Sequence, residues 1–288
     1  MTLSTETPTL FLDAGDERYA YRRFGKPSGL PLLCLQHFTG TMDNWDPALT
    51  DALAEGCELI LFDNAGIGRS SGAPAASVEA MTLHVVAFLQ GLKIDVCDVL
   101  GFSLGGMVAQ TLALIRPFGV RRLVLAGTAP RGGEDLMHFE KPSLAQHFAN
   151  PDLRGPAILQ KIFFAPSASS QAAGAAFLER LAERTRDREP LPGPEVGQAQ
   201  MAAFRAWEEF GDDRFAELAQ IHQPALVVNG VHDEMIPVRN SYWLVEHLPN
   251  AVLMVYPDSA HGSLFQFHSS FSRQVSAFLE SKAAWAPY

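Results

Sequence analysis

The chain carries little with which to cross-link itself, grip an anionic polymer or cross a bilayer. It has only three cysteines, Cys34, Cys57 and Cys97. They are far apart, each lies in or beside an apolar run, and no CxxC spacing suggests a metal; they read as small buried thiols in strands. No apolar stretch approaches the ~18 residues a membrane span requires. The first eight residues are polar and lack the apolar segment of a signal peptide. The expectation is a reduced, cytoplasmic protein. Basic residues are in deficit, with 22 Lys and Arg against 32 Asp and Glu and a formal net charge of −10. That balance removes the electrostatic reason to bind nucleic acid or an anionic membrane surface. Charged residues make up only 19% of the chain and hydrophobic ones 47%, which suits a well-buried core and argues against disorder. The 288 residues allow one large domain, or one domain with an insertion. There is no internal repeat and no low-complexity segment.

What is present is an alternation of short β-rich runs with longer amphipathic segments. Leu32–Gln36, Leu59–Phe62, Val96–Phe102, Arg122–Ala126, Ala225–Asn229 and Val252–Tyr256 read as continuous apolar strands. Such strands, separated by helices, imply a mostly parallel sheet covered on both faces. Arg18–Phe24 alternates instead and fits an antiparallel edge hairpin with Thr9–Asp13. Apolar positions from Val78 to Leu89 make one helical face. Leu104–Ile115 reads as a helix closed by Pro117, and Phe267–Leu279 as the last helix.

Between Gly127 and Ala225 no strand is legible. Helical pieces are expected near Leu153–Phe164, Gln171–Arg186 and Glu195–Phe210. The run Pro190-Leu191-Pro192-Gly193-Pro194 is expected to be non-helical, because proline lacks the amide donor and clashes with the preceding turn. A helical insertion of this length is either a lid over a site or a separate domain.

The sharpest signal is Gly101-Phe102-Ser103-Leu104-Gly105, set between a predicted strand and a predicted helix. A nucleophilic serine has to project from a tight, strained turn, and small residues two before and two after it let strand and helix close around that turn. The helix N-terminus then lies near the serine, where the Leu104 amide can donate to a developing oxyanion with help from the helix dipole.

With that motif in place, the chain resembles the α/β-hydrolase superfamily, in particular its lidded esterase and haloperoxidase-like branch. The resemblance covers nearly the whole chain apart from the insertion. It implies a mostly parallel eight-stranded sheet with helices on both faces, a core formed by residues 1–130 and 216–288, and a helical lid at 131–215. Further segments match in the order Ser, acid, His. In Val227–Pro237 the matching acid is Asp233, which would fix the histidine tautomer and stabilise the imidazolium; a helix-capping role near Pro237 and the neighbouring Glu234 are the alternatives. His261, in the polar loop after the last strand, matches the general base. His37 and Phe38 match the oxyanion loop, with Phe38 where the family usually has glycine. The Phe38 amide would act with that of Leu104, the Phe38 side chain would form part of the acyl pocket, and His37 reads as structural. Trp45 matches a residue that starts the next helix near the site. Asp63-Asn64-Ala65-Gly66-Ile67-Gly68-Arg69-Ser70 resembles a structural loop of the family, with Ala65 in place of its arginine; Asp63 and Arg69 are expected to make local hydrogen bonds. The glycine spacing there lacks the nucleotide-binding form.

Lid aromatics mostly pack, but Phe163, Phe164, Met201 and Trp207 are candidate substrate contacts beside Phe38 and Trp45. The resulting expectation is an ester or lactone hydrolase acting on a small, largely apolar molecule, with no cofactor and no metal. C–C bond hydrolases, amidases and cofactor-free haloperoxidases or perhydrolases share the same triad, and fold alone does not choose among them. A carboxylate-dependent epoxide hydrolase or haloalkane dehalogenase is excluded by Ser103. A non-catalytic small-molecule receptor and a cofactor-free oxygenase are the readings outside hydrolysis. Homo-oligomerisation is left open by the sequence.

Overall fold

The computed structural model describes residues 3–27, 29–150, 153, 155–211 and 213–281. Two strands, β1 (Leu10–Ala14) and β2 (Glu17–Gly25), form the antiparallel hairpin that the alternation anticipates. Next come β3 (Leu32–Leu35), β4 (Glu58–Phe62), β5 (Cys97–Phe102), β6 (Val120–Ala126), β7 (Ala225–Gly230) and β8 (Ala251–Tyr256). All eight join one sheet in the order β1-β2-β4-β3-β5-β6-β7-β8. The β2–β4 pairing is antiparallel, and from β4 onward every neighbour is parallel. Every residue of β3, β5 and β7 is buried, as expected of parallel strands covered on both faces.

The covering helices are α1 (Pro47–Ala54), α2 (Val78–Gly91), α3 (Leu104–Ile115), α8 (Arg239–His247), α9 (Ser263–Gln266) and α10 (His268–Glu280). Starts follow local chemistry. Asp46 accepts the Ala48 amide at 3.0 Å and Pro47 opens α1, while Ser77 caps α2 through the Ala80 amide at 3.1 Å. The helix α1 packs on α10, and α2 on α3.

Four further helices, α4 (Pro142–Ala149), α5 (Pro156–Phe163), α6 (Ala168–Ala182) and α7 (Pro194–Glu208), separate β6 from β7. The short α4 and α9 were not anticipated. Helix α6 starts three residues earlier than expected because Ser167 caps it, accepting the Ser170 amide. Pro194 corrects the reading of residues 190–194 as wholly non-helical: it is the first residue of α7, where the missing amide has no partner to lose. Phe163, Phe177, Phe204 and Trp207 belong to the same continuous apolar core as the sheet. Polar ties add to this. Arg180 grips the buried Asp46 carboxylate with two bonds of 2.8 and 2.7 Å, and Arg184 donates to the carbonyls of Ser4, Thr5 and Thr7.

All three cysteines are free. Cys34 and Cys97 are buried strand residues, but Cys57 is half-buried and precedes β4 rather than lying in a strand. Burial pushes the Cys57 and Cys97 thiols up to about 12. Among the described residues no helix is long and apolar enough to cross a membrane, and no cluster of three or more His, Cys, Asp or Glu side chains is arranged to hold a metal ion.

Candidate active site

Ser103 sits at the turn from β5 into α3 with φ 56° and ψ −119°. This backbone region is costly for any residue with a side chain, by about 1–3 kcal/mol. Its surroundings hold it there. The Ser103 amide donates to the Ala126 carbonyl at 2.9 Å, and its own carbonyl accepts from the Gly106 amide and the Thr128 hydroxyl. The flanking glycines are required sterically. A Cβ on Gly101 would strike the Gly105 and Gly106 backbone, and one on Gly105 would strike the Leu35 carbonyl. Ser103 is fully buried, and its Oγ has no hydrogen-bond partner among the described residues.

Asp233 and His261 meet across 28 residues of sequence, with Asp233 Oδ2 accepting from His261 Nδ1 at 2.8 Å. The other carboxylate oxygen, Oδ1, takes the amides of Met235 and Ile236, each at 2.9 Å. Those two bonds fix the carboxylate plane and leave Oδ2 for the imidazole. Gly230 lets the two loops close, because a Cβ there would strike the Ala260 carbonyl. The His232 amide also donates to the Ser259 carbonyl at 2.9 Å. His261 is 2% exposed, and its ring lies 5.0 Å from that of Phe102, the residue before Ser103. Glu234 and His232 are exposed, so the structure aims Asp233, not its neighbours, at His261.

The loop Gln36–Gly40 follows β3. His37 is buried between the rings of Phe102 and Phe163, at 5.4 and 5.2 Å. Its Nδ1 donates to the Phe38 carbonyl at 2.8 Å, and its Nε2 has no partner among the described residues. Burial lowers its pKa to about 3, so the ring is neutral. The amides of Phe38 and Leu104 donate to no protein acceptor among the described residues. A cavity of about 40 Å³ beside them is walled by His37, Gly40, Leu104, Gly105 and Gln200.

The expected apolar contacts divide. Phe38 is half-buried against Phe139 and Phe204, at 5.8 and 6.1 Å. Phe163 packs 5.7 Å from the His261 ring, and the Gly262 amide donates to its carbonyl at 2.8 Å. Met201 is partly buried on the core. Phe164 faces elsewhere, onto Phe177 and into a separate cavity of about 560 Å³ that also touches His147, His232 and Asp258. Trp45 packs on Phe265 at 6.2 Å. Trp207 donates from Nε1 to the Ala129 carbonyl and stacks under Arg131. Residue type alone had not separated these packing roles from pocket walls. Sequence reasoning missed Gln200, whose Oε1 accepts the Thr39 amide at 2.6 Å. The legible signal was a glutamine inside the apolar stripe of α7.

The loop 63–70 also reaches further than expected. Asp63 Oδ1 takes the Met42 amide at 2.8 Å, but the Arg69 amide donates to Glu189, 120 residues away, and Arg69 Nη2 to the Arg188 carbonyl. Their hydrogen bonds are therefore not only local.

The alpha/beta hydrolase fold family matches residues 31–267. The chain belongs to the alpha/beta hydrolase family. A relative named "Putative carbamate hydrolase RutD" from Pseudomonas syringae pv. syringae (strain B728a) is 29% identical over 242 residues, 83% of this chain and 89% of that protein. The pimeloyl-[acyl-carrier protein] methyl ester esterase of Nitrosomonas europaea is 29% identical over 230 residues, 79% of this chain and 86% of that one. Among solved structures, an alpha/beta hydrolase fold protein from Chitinophaga pinensis superposes with a TM-score of 0.90 at 40% identity, covering 97% of this chain and all of that one.

Proposed function

We infer that the chain is a serine hydrolase in which Ser103 is the nucleophile, His261 the general base and Asp233 its orienting acid. The observation that carries this reading is the buried Asp233–His261 pair at 2.8 Å, with the His261 ring 5.0 Å from that of Phe102, the chain neighbour of a buried serine held at positive φ. His261 takes the Ser103 proton as Oγ attacks a carbonyl carbon and later returns it to the leaving group. Asp233 stabilises the imidazolium without itself taking the proton. The amides of Phe38 and Leu104 receive the developing oxyanion, and the α3 N-terminus adds its dipole. Water then enters by the same base, and the acyl-enzyme is hydrolysed.

Residues 131–215 act as a lid in this scheme, since Ser103 is closed off and Phe163 leans on the base. Phe38 packs on Phe139 and Phe204, and Phe163 on His37 and His261, and these apolar surroundings favour a small, largely apolar acyl group. The bond is ester-like, a carboxylic ester or a lactone. The methyl ester esterase among the relatives supports that choice, and the carbamate hydrolase brings carbamates into the test. Three free thiols suit a reducing compartment.

Labelling with a fluorophosphonate tests the nucleophile, with the labelled peptide expected to contain Ser103. Failure of the wild type to label, or equal labelling of Ser103→Ala, refutes the reading. A panel of nitrophenyl esters of graded chain length, lactones and aryl carbamates then ranks the substrates.

A further inference from the structure

Helix α7 buries Val196, Gln200, Ala203, Phe204 and Trp207 along one stripe, and Gln200 is its single polar member. A buried amide on an apolar face is destabilising unless its polar atoms are bonded. Gln200 is 6% exposed, and its Oε1 accepts the Thr39 amide at 2.6 Å. Thr39 has φ 54°, in the left-handed region that a β-branched residue rarely enters without being held.

The rest of the loop is tied within itself. The His37 amide donates to Gln36 Oε1, Gln36 Nε2 to the Thr41 carbonyl, His37 Nδ1 to the Phe38 carbonyl and the Gly40 amide to the His37 carbonyl. Of the four amides from His37 to Gly40, two stand outside this set. That of Phe38 is free, and that of Thr39 is held by α7. The helix also lies close over both residues: a Cβ on Gly197 would stand 3.7 Å from Phe38 Cζ and 3.9 Å from Thr39 Cγ2.

We propose that Gln200 is a positioning residue, which fixes the Phe38 amide as an oxyanion donor by holding Thr39 in its left-handed conformation, so that the oxyanion hole is complete only while α7 is docked on the loop. The proposal rests on the reading of Ser103 as nucleophile and of the Phe38 amide as oxyanion donor. Its consequence is that admitting substrate and building the hole are opposed states of one helix. Lifting α7 from the loop breaks the Gln200–Thr39 bond and frees the strained turn, and redocking restores the donor over the bound acyl group.

The test uses the full chain and an alkyl fluorophosphonate, whose reaction places a phosphoryl oxygen in the same hole and needs no knowledge of the substrate. Gln200→Met keeps the volume and removes the acceptor; Gln200→Glu keeps an acceptor at the same reach. Since loss of an oxyanion donor lowers rates by about 10²–10³-fold, a loosened donor in Gln200→Met is expected to lower the maximal labelling rate by roughly 10–100-fold. The concentration for half-maximal rate should stay within about threefold of wild type, and Gln200→Glu should recover most of the lost rate. A wild-type rate in Gln200→Met, a Gln200→Glu variant as slow as Gln200→Met, or a loss confined to the half-saturating concentration each overturns the proposal. Ser103→Ala, run in parallel, separates the two inferences. Labelling that survives it removes the nucleophile reading itself, whereas its absence together with an unaffected Gln200→Met removes only the role of Gln200.

Discussion

Asp63 and Glu189 converge on the space beside the α-carbon of Gly68, where a Cβ would collide with Asp63 Oδ2 and stand 2.8 Å from Glu189 Oε2. Asp63 belongs to the loop after β4 and Glu189 to the segment between α6 and α7. Around them lie the buried Arg22, paired with Asp43 at 2.7 Å and with Glu189 at 3.2 Å, and the Glu189 amide, which donates to Asp43. Asp63 Oδ2 has no hydrogen-bond partner among the described residues. Burial pushes the Asp63 carboxyl well above the usual carboxylate range, and the neighbouring Glu189 pushes it further; burial raises Glu189 as well. Both carboxyls are therefore harder to ionise in the folded chain than in the unfolded one.

Stability should therefore depend on pH with a definite sign. A carboxyl whose folded pKa is raised binds its proton more tightly in the native state, so its contribution is present below the unfolded value of about 3.9 and is lost as pH rises through the folded value. Asp63→Asn keeps the acceptor for the Met42 amide and gives Glu189 a permanent donor. Its melting temperature should exceed that of the wild type by an amount that grows with pH, reaching about 2–5 °C for a gain of about 1–2 kcal/mol. Calorimetry from pH 4 to 9 reads this; a constant difference across that range would show that the Asp63 carboxyl is not raised in the folded chain.

His37 carries the opposite sign. Its folded pKa of about 3 lies below the ordinary histidine value of 6.5. The unfolded chain gains a proton as pH falls through about 6.5 and the folded chain does not, so stability declines from there toward pH 3. His37→Gln should lack this part of the acid slope. Because the ring is already neutral at working pH, the acid limb of kcat/KM should stay where it is in the wild type. A limb that moves with the substitution would place His37 among the titrating catalytic groups.

What the sequence made legible is what depends on neighbours in the chain. Gly101, Ser103 and Gly105 declare the elbow because the clashes they avoid lie within one strand-to-helix turn. The sheet was legible because β3, β5 and β7 are buried on both faces and so read as unbroken apolar runs. Asp233 and His261 were reached by their order and through the family resemblance, not by any local pattern joining them. Contacts such as Arg69–Glu189 and Thr39–Gln200 join residues 120 and 161 apart, and no periodicity encodes them. The helices α4 and α9 are 8 and 4 residues long, too short to develop a clear apolar face. Trp207 and Phe163 are chemically alike as buried aromatics, and only their partners, Ala129 and Arg131 for one and His261 for the other, separate them.

Asp233→Asn isolates the acid. The new side chain keeps an oxygen for the Met235 and Ile236 amides and turns a donor toward His261, which favours the wrong tautomer. A loss of about 10³–10⁴-fold in kcat is expected with KM little changed, and the melting temperature should fall by only about 1–3 °C. If the proposed triad acts as a unit, combining it with Ser103→Ala should add almost nothing to the loss from Ser103→Ala alone. Steady-state kinetics on the best ester of the panel decide this; fully multiplicative losses would separate Asp233 from Ser103.

The strain at Ser103 gives a prediction about stability that no contact count would suggest. At φ 56° and ψ −119° an alanine suffers the same backbone penalty as serine, so Ser103→Ala should melt close to the wild type. Glycine escapes that penalty, about 1–3 kcal/mol, but raises the entropy of the unfolded chain by about 0.5–1 kcal/mol. The net gain should be about 1 kcal/mol, and Ser103→Gly should melt about 2–4 °C above Ser103→Ala while both are inactive. Equal melting temperatures would mean that the turn is not strained in solution. A higher value for glycine would show that the chain gives up stability to hold the hydroxyl where His261 can reach it.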